Sequence, residues 1–107
     1  MFFQKKKKVV RDLNDKDLIR RNYRFFGTVQ GVGFRFTAAM AAESLNLTGW
    51  VRNEYDGSVT MEIQGTRQEI DKVIETIENS RYIRIERIEC EDIPLCTDES
   101  YFSTEWY

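Results

Sequence analysis

The chain contains no histidine. That removes the one side chain whose ordinary pKa lies near neutrality, and with it an imidazole acid or base and any phosphohistidine intermediate. Cysteine is nearly absent too, with only Cys90 and Cys96. Neither is followed by the Gly-rich, Arg-closed loop of a cysteine phosphatase, and two Cys without His make a poor zinc site. No Gly-Lys-Ser or Gly-Lys-Thr occurs, which excludes a nucleotide P-loop. No acidic cluster has metal-ligand spacing, so neither a metal nor a cofactor is expected. No apolar run approaches the roughly 20 residues of a membrane helix, so no membrane association is expected. The N-terminus does not read as a secretory signal, because Phe2-Phe3 precedes Lys5 to Lys8 and no long apolar stretch follows. A cytoplasmic protein with free thiols is the expectation.

What is present suits one small globular domain: 107 residues, 41% hydrophobic and 13% aromatic. The net charge of −2 conceals a division. Residues 1–24 hold nine Lys/Arg and three Asp, a balance of +6, whereas residues 25–107 hold seven Lys/Arg and fifteen Asp/Glu, a balance of −8. The acidic body argues against broad nucleic-acid binding. Residues 1–20 lack a clean period and read as a flexible basic extension, with the domain proper at 21–107. Removing Met1 to Asp17 is expected to leave fold and turnover nearly intact.

Tyr23 to Val29 reads as a strand, rich in aromatic and β-branched residues. Phe34, Ala38, Ala41, Ala42 and Leu45 recur with helical spacing, and Asn46 is placed to end that helix in a left-handed conformation. Thr48 to Glu54 and Ser58 to Gly65 read as a hairpin around Asp56-Gly57. Thr66 to Glu69 is a capping box, and Ile70, Val73, Ile74 and Ile77 form the buried stripe of a second helix. Ile83 to Ile93 reads as a fourth strand whose two apolar pairs are out of phase. A bulge near Glu86-Arg87, or a later start, would reconcile them. Tyr101 to Tyr107 suits a short fifth, edge strand. The order β-α-β-β-α-β implies an α+β, ferredoxin-like sandwich: an antiparallel sheet of four strands plus the short C-terminal strand, with two helices on one face.

Between the first strand and first helix lies Gly27-Thr-Val-Gln-Gly-Val-Gly-Phe-Arg35. A Gly-rich strand-to-helix turn gathers backbone N–H groups at a helix N-terminus, and Arg35 adds a planar fork suited to phosphate or carboxylate. That is the chemistry of an anion site, although the same nine residues also suit a plain turn with a surface Arg. Further on come Gly49-Trp50-Val51-Arg52-Asn53 and Asp56-Gly57-Ser58-Val59. In this order and spacing, the three runs resemble the acylphosphatase family, over about Arg21 to Tyr107. Departures are Thr37, where the family often has an aromatic residue, and Asn46, where it often has Gly.

The resemblance implies a metal-independent hydrolysis of acyl phosphates to carboxylate and inorganic phosphate. It implies Arg35 and Asn53 as the catalytic residues, Arg35 holding the phosphate and Asn53 orienting the water. Gln30, Gly31, Val32, Gly33, Phe34 and Arg35 would form the phosphate-binding loop. Taken alone, Asn53 reads as a turn residue before the hairpin. The chemistry agrees with the family. Without a general acid the leaving group must depart unprotonated, and a carboxylate, with a conjugate-acid pKa of about 4, does so. An amide holds water by accepting one hydrogen bond while donating another. Expected partners are a small acyl phosphate and, as competing ligands, phosphate or sulfate, on a monomer. Two other readings exist. One is a non-catalytic ferredoxin-like module binding an anion or RNA. The other is a fragment similar to the N-terminal part of hydrogenase-maturation carbamoyltransferases, although no zinc-finger cysteines follow.

Overall fold

The computed structural model describes residues 8–105. At its centre is a strand in which Val59, Met61 and Ile63 alternate with Thr60, Glu62 and Gln64. Alternation of period two places the first set on one face of the sheet and the second on the other. In chain order the elements are β1 (Leu18–Thr28), α1 (Phe34–Ser44), β2 (Thr48–Asn53), β3 (Val59–Thr66), α2 (Arg67–Glu78), β4 (Arg84–Ile93) and β5 (Phe102–Glu105). They form one five-stranded sheet in the order β4-β1-β3-β2-β5. The first four strands pair antiparallel, and β5 lies parallel to β2. The fold is thus the expected ferredoxin-like α+β sandwich, with a fifth strand that makes the sheet mixed. Trp106 and Tyr107 of the strand expected to Tyr107, and residues 1–7, lie outside the described residues.

Register defines the core. Phe25 stands opposite Val59, and Tyr23 and Val51 both flank Met61. These side chains join Phe34, Ala38 and Ala42 of α1 and Ile70, Val73 and Ile77 of α2 in a single buried cluster. Both helices therefore cover one face. Full burial of each large aliphatic or aromatic side chain contributes about 1.5–3 kcal/mol. The alanines of α1 let its backbone approach the sheet. Asn46 stops the helix with φ 57°, as its position predicts. In β4 the bulge is real: Phe26 faces Arg87 and Gly27 faces Ile85, so Glu86 is the extra residue. It returns Ile85 to the face of Ile88 and Cys90.

The opposite face is polar but not open. Arg20, although charged, is only 4% exposed. Its guanidinium donates to Glu99 at 2.8 and 3.2 Å and to Glu62 Oε1 at 3.0 Å. Beside it, Gln64 accepts from Cys96 N at 2.8 Å and donates to Cys96 O at 3.0 Å. The β4–β5 connection is thereby strapped across the sheet.

β1 begins at Leu18, five residues before the expected start at Tyr23 and three inside the segment read as extension. Leu18, Ile19 and Arg20 pair with Thr66, Gly65 and Gln64. Upstream of the strand, Val9 N donates to Ser100 O at 2.9 Å. Arg11 grips Glu69 with both terminal nitrogens, at 2.7 and 3.0 Å. Glu69 is also half of the capping box of α2: its carboxylate accepts from Thr66 N, while Thr66 Oγ1 accepts from Glu69 N.

The hydrogen bonds from Arg11, with those from Thr66, hold the Glu69 carboxyl at about 2 rather than its ordinary 4.5, against the opposing effect of burial. A depressed carboxylate pKa stabilises the fold above the unfolded value, and that stability is lost as pH falls through the folded value. Arg11→Ala is expected to cost about 0.5–1 kcal/mol, or roughly 2–8 °C in Tm, at pH 7. The gap to the parent should close between pH 4.5 and about 2. Deletion of residues 1–17 should show at least this loss, in contrast to the expectation from sequence. Thermal melts of the three proteins across that range test it, and a gap independent of pH would refute the role of the pair.

Candidate active site

Two buried side chains fix the ends of the loop between β1 and α1. Val29 is 1% and Phe34 2% exposed, so the chain must reverse within four residues. It does so through two left-handed positions, Gly31 at φ 73° and Gly33 at φ 80°. A Cβ at either would meet nothing within 4 Å. Glycine is needed there for backbone conformation, not for space; another residue would cost about 1–2 kcal/mol at each. Gly33 is also the N-cap of α1 and brings no side-chain cap. The first helical bond runs from Thr37 N to Gly33 O at 3.0 Å, so the preceding first-turn N–H groups have no partner within the helix. No acidic residue occupies that turn to offset its partial positive charge.

A cavity of ≈ 200 Å³ sits at this helix start. Gly31, Gly33, Phe34 and Arg35 line it from the loop and the first turn, and Asn53 lines it from the sheet. Asn53 is the last residue of β2 and pairs with Val59, which pairs with Phe25. It therefore lies on the helix-covered face, where β2 ends beside the start of α1. The eighteen positions between Arg35 and Asn53 are closed by the fold.

Gln30 and Val32 are placed differently. The Gln30 amide donates to Glu54 O at 2.7 Å and to Ser58 O at 2.9 Å, both in the β2–β3 hairpin. Both its N–H groups are thus spent on holding the loop against the strand that carries Asn53. Val32 packs at the margin of the core. Val29 and Phe36 join the lining without having been expected there. Phe36 carries a signal in the sequence: it is an aromatic residue beside Arg35 but outside the apolar stripe of the helix.

The carboxylates of the adjoining β2–β3 hairpin have partners of their own. Glu54 accepts from Arg52 Nε at 2.8 Å. Burial opposes the charge of Glu54, yet its hydrogen bonds with Arg52 and Thr60 prevail and hold it below the ordinary carboxylate range. Asp56 is held down by Ser58, whose hydroxyl and amide both donate to it, and it pairs with Arg24 at 2.9 Å. The hairpin therefore adds little unbalanced negative charge beside the loop. Among the described residues, no group of three or more His, Cys, Asp or Glu is placed to hold a metal ion. A larger hollow of ≈ 470 Å³ lies between residues 8–13 and 97–100, away from this loop. Of its four charged residues, Lys8, Arg11, Asp98 and Glu99, Arg11 pairs with Glu69 and Glu99 with Arg20.

Comparison with known proteins follows the same outline. The family model for acylphosphatase matches residues 21–104. An acylphosphatase of Clostridium perfringens is 40% identical over 88 residues, covering 81% of this chain and 99% of that one. One from Salinibacter ruber is 44% identical over 71 residues, covering 65% and 75%. The solved structure of an acylphosphatase from Coxiella burnetii superposes with a TM-score of 0.75 at 30% identity, covering 85% of this chain and 96% of that one. With a loop, a helix start and a strand end converging as the sequence motif requires, the chain belongs to the acylphosphatase family.

Proposed function

We propose that this protein hydrolyses acyl phosphates, and that Arg35 and Asn53 are its catalytic residues. The observation that carries the reading is that these two side chains, far apart in sequence, line one small cavity at the N-terminus of α1. The volume suits a phosphoryl group and is below the range of about 300–1,000 Å³ typical of larger ligands. The non-catalytic alternative is disfavoured, since the matched relatives are named for an enzyme.

In this reading the first-turn N–H groups and the Arg35 fork hold the phosphoryl oxygens. Charge on them in the loose transition state is stabilised by donors already in place. Asn53 accepts a hydrogen bond from water through its amide oxygen and donates through its amide nitrogen, setting that water in line with the P–O bond to the acyl group. The water oxygen bonds to phosphorus as that P–O bond breaks. The electron pair leaves with the carboxylate, and the proton of the water ends on the phosphate. No protonated leaving group is required, which suits a chain without histidine. Inorganic phosphate and sulfate should compete for the same site. We further propose a cytoplasmic monomer. Support comes from the two free cysteines and from the outer strands, since β4 is bulged and highly charged and β5 spans only four residues.

Asn53→Ala should lower kcat on the order of 10²-fold with the phosphate inhibition constant changed no more than about twofold. Asn53→Asp should lose phosphate binding as well, because it sets a negative charge beside the anion. A turn residue would give the reverse, with a lower Tm and unaltered turnover per folded molecule. Arg35→Lys should weaken both phosphate inhibition and turnover, because a point charge cannot replace the fork; near-normal turnover would exclude bidentate binding. Gln30→Ala should lower Tm by the loss of two hydrogen bonds, at about 1 kcal/mol each, and reduce kcat with it. A Gln30→Ala protein with full turnover would show that the clamp does not position the site.

A further inference from the structure

We propose that Phe36, continued by Met40, is the surface on which the acyl group of the substrate lies, and that the enzyme prefers apolar acyl groups. This rests on the acyl phosphate reading above and adds the class of acyl group. Phe36 lines the anion cavity yet is 73% exposed, an unusual position for a large aromatic side chain. It takes no part in the core, which α1 reaches through Phe34, Ala38, Ala41 and Ala42. Single exposed apolar residues are common and need no explanation. This one is not single. Met40, one turn further along the same side of α1, is 51% exposed. Residues four apart on a helix bring their Cβ atoms within about 5–6 Å. Met40 in turn lines a groove of ≈ 390 Å³ between the helices, with Ala41, Leu45 and the Lys72 stem among its walls. An apolar track therefore leaves the anion cavity at Phe36 and runs along α1.

A phosphoryl group held by Arg35 and the helix start has its acyl group outside a cavity of only ≈ 200 Å³. A two-carbon acyl group ends close to the phosphate. A phenyl ring or a chain of about six carbons extends to Phe36, and the chain continues toward Met40. An aromatic ring and a thioether offer contact area without hydrogen-bond direction, so they favour apolar acyl groups over polar ones.

The test compares acetyl, benzoyl and hexanoyl phosphate with the full chain and three variants, using kcat/KM, the inhibition constant of inorganic phosphate, and Tm. The parent should favour benzoyl and hexanoyl over acetyl phosphate by about tenfold or more, the scale on which apolar pockets discriminate. Phe36→Ser should reduce the benzoyl and hexanoyl values about tenfold and the acetyl value far less, with phosphate inhibition and Tm close to the parent's. Phe36→Leu should recover most of the loss. Met40→Ser should reduce the hexanoyl value more than the benzoyl value. Equal losses on all three substrates in Phe36→Ser, or a parent without preference, would overturn the inference while leaving the acylphosphatase reading intact. A folded parent that binds phosphate but hydrolyses none of the three would overturn both.

Discussion

The site depends on one clamp. Gln30 places its amide nitrogen between two carbonyls of the β2–β3 hairpin, and so joins the loop after β1 to the strand that ends in Asn53. Sheet pairing brings β1 and β2 to either side of β3, but they are not neighbours. Pairing alone leaves the loop free to lean toward or away from β2. Two hydrogen bonds from one side chain remove that freedom. Arg35 then follows, because Gly33 caps α1 and Phe34 is anchored in the core. In the proposed mechanism water positioning is sensitive to small displacements, so the Gln30 clamp would govern the geometry from outside the lining of the cavity.

The two faces of the sheet divide the labour of charge. The helix-covered face carries the core and, at one end, the cavity. The other carries a lattice of ion pairs: Arg20 with Glu62 and Glu99, Arg24 with Asp56, and Arg52 with Glu54, whose guanidinium also lies 4.9 Å from the Trp50 ring. An acidic body would ordinarily repel an anionic substrate. Pairing of the hairpin carboxylates with arginines weakens that repulsion where it matters.

Much of this is legible in the sequence, for identifiable reasons. The capping box at Thr66 and Glu69, the Asn46 stop, the Asp56-Gly57 turn and the Glu86 bulge are local rules, settled within a few residues. The Arg35–Asn53 pairing follows from strand order once the elements are known. What escaped depends on distant partners. Arg20 is buried because Glu99 lies 79 positions away, and nothing near Arg20 announces it. That same polar face hides the start of β1, because Arg20, Asn22 and Arg24 alternate with little apolar contrast. The Gln30 amide is satisfied by backbone carbonyls, which leave no trace in sequence. The parallel pairing of β5 depends on where the preceding strap lands.

That last strand has a consequence for how the chain matures as it is synthesised. Every residue assigned to chemistry lies within the first half, between Gln30 and Asn53. Yet β2, which carries Asn53, keeps an unpaired edge until residues 102–105 arrive beside it. Phe102, 1% exposed, also fills the core cluster shared with the alanines of α1. A nascent chain holding both Arg35 and Asn53 would still lack the last wall of its own interior. Such long-range closure is slow compared with helix formation. The sheet edge of β2 and the core beneath α1 are therefore completed together, by the last strand of the chain to be made.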